Sequence, residues 1–334
     1  MRAQDCQATL VKGLLLLVVF FALCLPQVMR AQSTAAEPSS KTCSQGTQQN
    51  PNPGDDRVLI NTDLISFNVT ITDQYGRLVS GLQQSAFTVF DDKQAQEITF
   101  FSDDDAPVSL GIVFDLTGSM SGEKVRRAKE ALEHFFQTSR DGDEYFLITL
   151  QNGRANLALD RTRDSQAVLN KLTFVHPRGS TAFYDACYLG VDKVTQGTHP
   201  KRALLVISDG QDNNSRFTFH ELRRLVKESD VIIYAIGIEE RDGTLVSDGQ
   251  SILDDIAAVS GGKAFFPQNS TEMNDIFESI ALELRHQYAI GYRPPNFSSN
   301  GKWHHLKVKV NPPRGLPHLF VRSRDGYFAL PNTH

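Results

Sequence analysis

The stretch Val108-Ser-Leu-Gly-Ile-Val-Phe-Asp-Leu-Thr-Gly-Ser-Met120 decides how the rest of the chain is read. Its first half is an apolar run, the mark of a strand buried on both faces. Its second half sets Asp115, Thr117 and Ser119, three oxygen-bearing side chains, at alternate positions, and a helix-period segment follows at once. The reading is a strand, a tight turn and the start of a helix, with oxygen ligands displayed on the turn. Mg²⁺ and Mn²⁺ accept carboxylate, hydroxyl and water oxygens in octahedral geometry, so this set suits them better than it suits zinc. Three residues cannot fill an octahedron. The remaining ligands must come from elsewhere in the chain.

Downstream, apolar strands alternate with amphipathic helices. Glu123 to Thr138 carries Val125, Ala128, Leu132, Phe135 and Phe136 at helical spacing. Strands are predicted at Tyr145 to Leu150, Ala155 to Leu159, Arg202 to Ser208, Val231 to Ile238 and Lys263 to Phe266, with helices at Ser165 to Leu172, Ala182 to Gln196, Phe219 to Glu228, Ile252 to Val259 and Glu272 to His286. The gap between the Tyr145 and Ala155 strands permits only a hairpin, so one strand of an otherwise parallel sheet runs antiparallel. This alternation specifies an α/β fold with a doubly wound, mostly parallel sheet covered on both faces.

The flanks follow a different period. Leu64, Ser66, Asn68, Thr70 and Thr72 alternate with Ile65, Phe67, Val69 and Ile71; Asp73 to Gly76 is a turn, and Phe87 to Phe90 and Ile98 to Phe101 add strands around Asp91-Asp-Lys93. Tyr288 to Tyr292, Trp303 to Val310 and Leu319 to Arg322 alternate again after the last helix. Each flank is too small to be comfortable alone. Pairing them gives a small β-sandwich, built from N- and C-terminal segments, into which the α/β domain is inserted.

Residues 1–31 read as an export signal, with Arg2 and Lys12 ahead of the apolar run Leu14 to Leu25 and Met29-Arg-Ala31 for cleavage; an uncleaved anchor is the alternative. Leu23 stands where a lipoprotein reading of Cys24 needs a small residue. Residues 32–57 are polar and Pro-containing and read as a disordered linker. The organisation is then a signal peptide at 1–31, a linker at 32–57, an N-terminal β-unit at 58–105, the α/β domain at 106–287 and a C-terminal β-segment at 288–334 that pairs with 58–105. A net charge of −5 argues against sequence-independent nucleic-acid binding. Outside the leader, Cys43 and Cys187 lie in unlike settings, and Cys187 is expected to be a buried small apolar residue.

In a doubly wound sheet, ligands sit outside the carboxyl ends of the strands. Three loops emerge there: Asp115-Leu-Thr-Gly-Ser119, Gly179-Ser-Thr181 and Ser208-Asp209-Gly210. They supply Asp115, Thr117, Ser119, Thr181 and Asp209 as metal ligands and leave a position for water or a partner's carboxylate. Each also has an ordinary role: Asp115, Ser119 and Thr181 as helix caps, Asp209-Gly as a turn. Their joint occurrence favours the metal. His304-His305 suggests a zinc pair, but adjacent strand residues point to opposite faces, and solvated or packing roles are expected. Asp103-Asp-Asp105 reads as an exposed acidic linker.

On these residues the chain resembles a von Willebrand factor type A domain with its metal-ion-dependent adhesion site. That family's pattern is Asp-x-Ser-x-Ser, then a Thr on the next ligand loop, then an Asp at the end of the fourth sheet strand. Here Asp115-Leu-Thr-Gly-Ser119 departs from it only in Thr117, which keeps the hydroxyl and adds a methyl group. The resemblance covers roughly residues 106–286. It implies a Rossmann-like domain in which Thr117 and Ser119 bind the ion directly, Thr181 directly or through water, and both aspartates partly through water. The segments Val69 to Arg77, Phe87 to Asp92 and Val321 to Tyr327 are similar to the β-flanks of exported bacterial proteins, notably acidobacterial ones, that carry this domain.

The expected function is that of an exported adhesion-type module, periplasmic, cell-surface or secreted. Its Mg²⁺ or Mn²⁺ captures an acidic group of a protein partner, without nucleic acid and with membrane contact only through an uncleaved leader. An enzyme is not expected. A nucleotide-dependent oxidoreductase needs a Gly-x-Gly-x-x-Gly turn after the first strand, which Asp115 to Ser119 lacks. A metal-assisted phosphohydrolase needs a nucleophile or base beside the ion, where Thr117 and Ser119 stand instead. A metal-assisted phosphohydrolase, with Asp115 as nucleophile or base, and a scaffold with a vestigial metal site are the alternatives.

Overall fold

A computed structural model describes residues 64–120, 122–173, 177–238, 247–295, 300–312, 315 and 318–329. The signal peptide and linker expected over 1–57 lie outside the described residues. In chain order the elements are β1 (Ile65–Thr72), β2 (Phe87–Asp91), β3 (Gln94–Gln96), β4 (Ile98–Ser102), β5 (Val108–Asp115), α1 (Gly122–Gln137), β6 (Glu144–Gln151), β7 (Arg154–Thr162), α2 (Ser165–Thr173) and α3 (Phe183–Thr195). Then follow β8 (Lys201–Ser208), α4 (Phe219–Glu228), β9 (Ile232–Gly237), α5 (Ser247–Ser260), β10 (Lys263–Phe265), α6 (Ser270–Arg285), β11 (Tyr288–Tyr292), β12 (Trp303–Val310), β13 (Phe320–Ser323) and β14 (Gly326–Phe328). Among the described residues no helix is long and apolar enough to cross a membrane.

The central sheet has the order β10-β9-β8-β5-β6-β7. All neighbours are parallel except β6 and β7, which form the antiparallel hairpin that the short loop demands. Every residue of β5 is buried, because both faces of this central strand are covered. Leu110, Ile112 and Phe114 pack with Val125, Leu132 and Phe135 of α1 and Phe277 of α6 on one face. Val113 packs with Ala186, Val191 and Val194 of α3 on the other. A Cβ on Gly111 would lie 2.5 Å from Val194 Cγ2, so the missing side chain lets α3 approach the strand. Cys187 is fully buried in the same layer, as expected of a small apolar residue, and burial pushes its thiol pKa up.

The flanks form two four-stranded sheets, β13-β1-β11-β4 and β14-β12-β2-β3. Each sheet draws strands from both ends of the chain, and Phe67, Val69, Ile71, Phe87, Tyr288 and Tyr292 fill the core between them. Pairing differs from the sequence reading in one respect. β2 turns back at Asp92 and Lys93, both at positive φ, to pair with β3, whereas β4 crosses to the other sheet and pairs with β11. The three residues of β3 are all polar glutamine or alanine and carry no apolar alternation. A strand that short and polar leaves no periodic signal.

Thr70 lies on the polar side of the β1 alternation and yet is 2% exposed. Its hydroxyl donates to Glu283 Oε1 of α6 at 3.0 Å. Tyr234 of β9 donates to the same oxygen at 2.6 Å, and Arg322 of β13 forms an ion pair with it. Two residues further, Arg285 reaches Asp143 with both terminal guanidinium nitrogens, at 3.0 and 2.5 Å. Burial works to raise the Asp143 pKa, but the Arg285 fork and the N–H groups of Arg140 and Val108 outweigh it and hold the carboxyl below its ordinary range.

Removing one partner of a buried pair strands the other charge, a loss on the order of 3 kcal/mol. Arg322→Met is therefore expected to lower the unfolding free energy by that much, read as a lower urea midpoint with an unchanged slope, and adding Glu283→Leu should recover most of the loss. A single variant as stable as the wild type would show that the pair contributes nothing.

Candidate metal centre

β5 and β8 end side by side, and the loops that follow them meet. The Asp115 carboxylate, fully buried, accepts from the Thr117 hydroxyl (2.6 Å) and the Thr117 N–H (2.9 Å) through Oδ1, and from the Ser208 hydroxyl (2.7 Å) through Oδ2. Thr117 Oγ1 and Ser119 Oγ stand 3.3 Å apart. The Gly179 to Thr181 loop is tied in by its backbone: Gly118 donates to Gly179 O at 3.2 Å, and Arg178 donates to Leu116 O at 2.9 Å. A Cβ on Gly179, whose φ is +83°, would lie 2.5 Å from Asn152 Cα, so this loop closes only with glycine.

The expected ligands are thus distributed as follows. Asp115, Thr117 and Ser119 contact one another directly. Asp209 follows Ser208 on the β8 loop, is 5% exposed, and its charge acts on Asp115. Thr181, 3% exposed, is joined to the others through its loop, its carbonyl accepting from the N–H groups of Asn213 and Asn214.

The ordinary roles of these residues are largely filled by others. Asp212 Oδ1 accepts from Phe183 and Tyr184 at the start of α3, where the N-cap residue, Ala182, has no side chain to do so. Thr181 is therefore not the cap of α3. The Asp209-Gly turn does form, with Gly210 at φ +76° and Gln211 N–H on Asp209 Oδ1 at 3.1 Å. Turn and ligand are compatible roles, since one Asp209 oxygen serves the turn. Ser208 and Asp212 are the contributors that sequence reasoning did not select. Ser208 closes an apolar strand where a hydroxyl is unremarkable, and Asp212 acts on a helix distant in sequence.

Burial dominates the Asp115 titration and raises its pKa; the hydrogen bonds of Ser208 and Thr117 lower it, the Asp209 charge raises it, and the net shift is upward. Among the described residues neither carboxylate forms a salt bridge with Lys, Arg or His. Two buried acids that repel each other, beside hydroxyls whose lone pairs remain available, make a donor set that fits a small divalent cation. The Thr117 to Ser119 oxygen separation is close to the edge of about 2.9 Å that adjacent ligands of an octahedral Mg²⁺ ion define.

Residues 110–211 match the family model of the von Willebrand factor type A domain. An uncharacterized protein of Synechocystis, sll0103, is 21% identical over 180 residues, which are 52% of this chain and 41% of that protein. The chain thus spans less than half the length of that curated relative. Among solved structures, the conserved hypothetical protein BatB from Bacteroides thetaiotaomicron is 19% identical, with 53% of this chain and 98% of that chain covered and a TM-score of 0.44. Proximal thread matrix protein 1 from the mussel byssus, with a zinc occupied MIDAS motif, is 20% identical over 58% of this chain and 49% of its own, with a TM-score of 0.47.

An acid whose folded pKa is raised contributes stability below its ordinary value, near 3.8, and that contribution is lost as pH rises through the folded value. In chelator at neutral pH, Asp115→Asn is accordingly expected to melt above the wild type, with the gap closing as pH falls towards the ordinary value. Saturating Mg²⁺ should reverse the order. Paired thermal melts with and without chelator read both effects.

Proposed function

We propose that Asp115, Thr117, Ser119, Thr181 and Asp209 hold Mg²⁺ or Mn²⁺, and that the site binds an acidic group of a protein partner. The observation that carries this reading is the pair of buried carboxylates, at 0% and 5% exposure, with no cationic side chain paired to either among the described residues. A bound divalent ion would supply the missing positive charge and an open coordination position for an external carboxylate. The chain's part is to fix the donors: Ser208 and the Thr117 N–H orient Asp115, and the Gly179 backbone bond holds the Thr181 loop against the Asp115 loop.

Charge around the rim supports an acidic partner. Arg154 begins β7 and Arg178 lies on the loop that bonds to Leu116 and Asn152, and both are exposed, whereas Arg216 is paired with Asp185. Burial also favours binding over catalysis. With Asp115 fully buried and both its oxygens accepting hydrogen bonds, it is not placed to attack or deprotonate a substrate. Reading residues 1–31 as an export signal, we propose a module acting at the cell surface, in the periplasm or outside the cell.

Asp115→Ala and Asp209→Ala are expected to weaken Mg²⁺ and Mn²⁺ binding at least a hundredfold by calorimetry while circular dichroism stays native. Capture of a partner from an exported-protein extract should occur with Mg²⁺ and fail with chelator. Unchanged ion affinity in both variants would overturn the metal assignment; capture indifferent to chelator would overturn the adhesion reading alone.

A further inference from the structure

His304, set aside as half of an implausible pair with His305, has other neighbours. It is the second residue of β12, opposite Tyr327 of β14, its ring stacked on that tyrosine at 5.2 Å. Across the other edge of β12, the end of β2 and its turn bring Asp91 and Asp92 beside it. His304 Nδ1 lies 3.3 Å from Asp91 Oδ1 and 3.1 Å from Asp92 Oδ2. The three atoms lie within 4.8 Å of one another.

Each carboxylate has one oxygen already engaged and one left over. Asp91 Oδ2 accepts from Tyr292 (2.7 Å) and Tyr327 (2.9 Å), while Asp91 Oδ1 is buried without a hydrogen-bond partner among the described residues. Asp92 Oδ1 accepts from the His305 N–H at 2.9 Å, leaving Oδ2 towards the imidazole. Asp91 is 6% exposed, so its second oxygen has little access to water. A buried carboxylate oxygen without a donor costs free energy that some cation must offset.

We propose that Asp91 Oδ1, Asp92 Oδ2 and His304 Nδ1 form a second metal site, for a divalent transition ion of the zinc class, at the end of the β-sandwich. Ligands bound about 2.1 Å from a common ion stand about 3.0 Å apart in an octahedron and about 3.4 Å apart in a tetrahedron. The observed separations of 3.1 and 3.3 Å fall between these limits. One imidazole with two carboxylates is a borderline donor set, softer than the all-oxygen rim of the central sheet, and selects zinc over magnesium. The two tyrosine hydroxyls act as the outer partners that orient a ligating carboxylate, and the Tyr327 ring fixes the imidazole plane. The ion would clamp β2, the β2–β3 turn and β12, three segments that come from the two ends of the chain.

A protonated His304 bridging the two acids is the competing account, and Zn²⁺ titration of the full chain separates them. Calorimetry and metal analysis after dialysis should give His304→Gln and Asp92→Asn one Zn²⁺ equivalent fewer than the wild type, with Mg²⁺ binding unchanged. In the wild type, Zn²⁺ but not Mg²⁺ should move the imidazole NMR signals of His304, identified by their loss in His304→Gln. Comparison with wild type keeps any Zn²⁺ at the rim out of the difference. Equal Zn²⁺ stoichiometry in wild type and Asp92→Asn, or His304 signals that respond to pH and not to Zn²⁺, would overturn the site. The Asp92→Asn stoichiometry does not depend on whether His304→Gln folds.

Discussion

A carboxylate at the end of a fully buried strand is the constraint around which the α/β domain is arranged. Asp115 terminates β5 where both faces of the sheet are already covered, so water cannot satisfy its oxygens. The chain answers with hydroxyl and amide donors, from Thr117 two residues on and from Ser208 at the end of the neighbouring strand. The Ser208 donor exists only if β5 and β8 are adjacent and in register, which the pairing of Phe114 with Ile207 provides. The fold and the site are therefore specified together. A register slip by one residue would turn Asp115 to the other face and bury it among apolar side chains.

The same economy of donors explains how the sandwich is attached. Glu283 is buried at the C-terminal end of α6, and its partners come from β1, β9 and β13. Arg285, two residues on, is forked to Asp143 ahead of β6. The C-terminal turns of α6 are thus held from both sides by buried charge pairs, while the helix packs its apolar face through Met273, Phe277 and Ile280. A displacement of α6 along its axis would have to break two desolvated ion pairs at once. Apolar contacts alone would permit sliding at far smaller cost, because they are not directional.

Much of this was legible in the sequence, for reasons that differ by element. The apolar run at 108–114 and the amphipathic helices announce a covered sheet because burial on two faces leaves a composition that nothing else explains. The three ligand loops were legible because hydroxyls and carboxylates sit where apolar strands stop. Burial of Thr70 was not legible, since period two marks only one covered face, and the second face is covered by a helix more than 200 residues away. β3 was missed for want of apolar side chains, and its omission misplaced β4. His304 was judged against His305, its neighbour in sequence, when its chemical neighbours lie across the strand ladder.

Asp115 and Asp91 pose the same problem in two settings and are answered with different chemistry. Each is the last residue of a buried strand, and each accepts hydroxyl donors. At Asp115 both oxygens are engaged and the surrounding donors are oxygens, so an ion there is met by hard ligands. At Asp91 the hydroxyls of Tyr292 and Tyr327 converge on one oxygen, and the other faces an imidazole. Phenol groups are long and rigid, so two of them reach one oxygen from the sandwich core without entering the space on its far side. Shorter serine or threonine side chains would have to stand at the carboxylate itself, as Thr117 and Ser208 do. The choice of tyrosine at 292 and 327 leaves Oδ1 buried and without a hydrogen-bond donor among the described residues, turned towards the imidazole of His304.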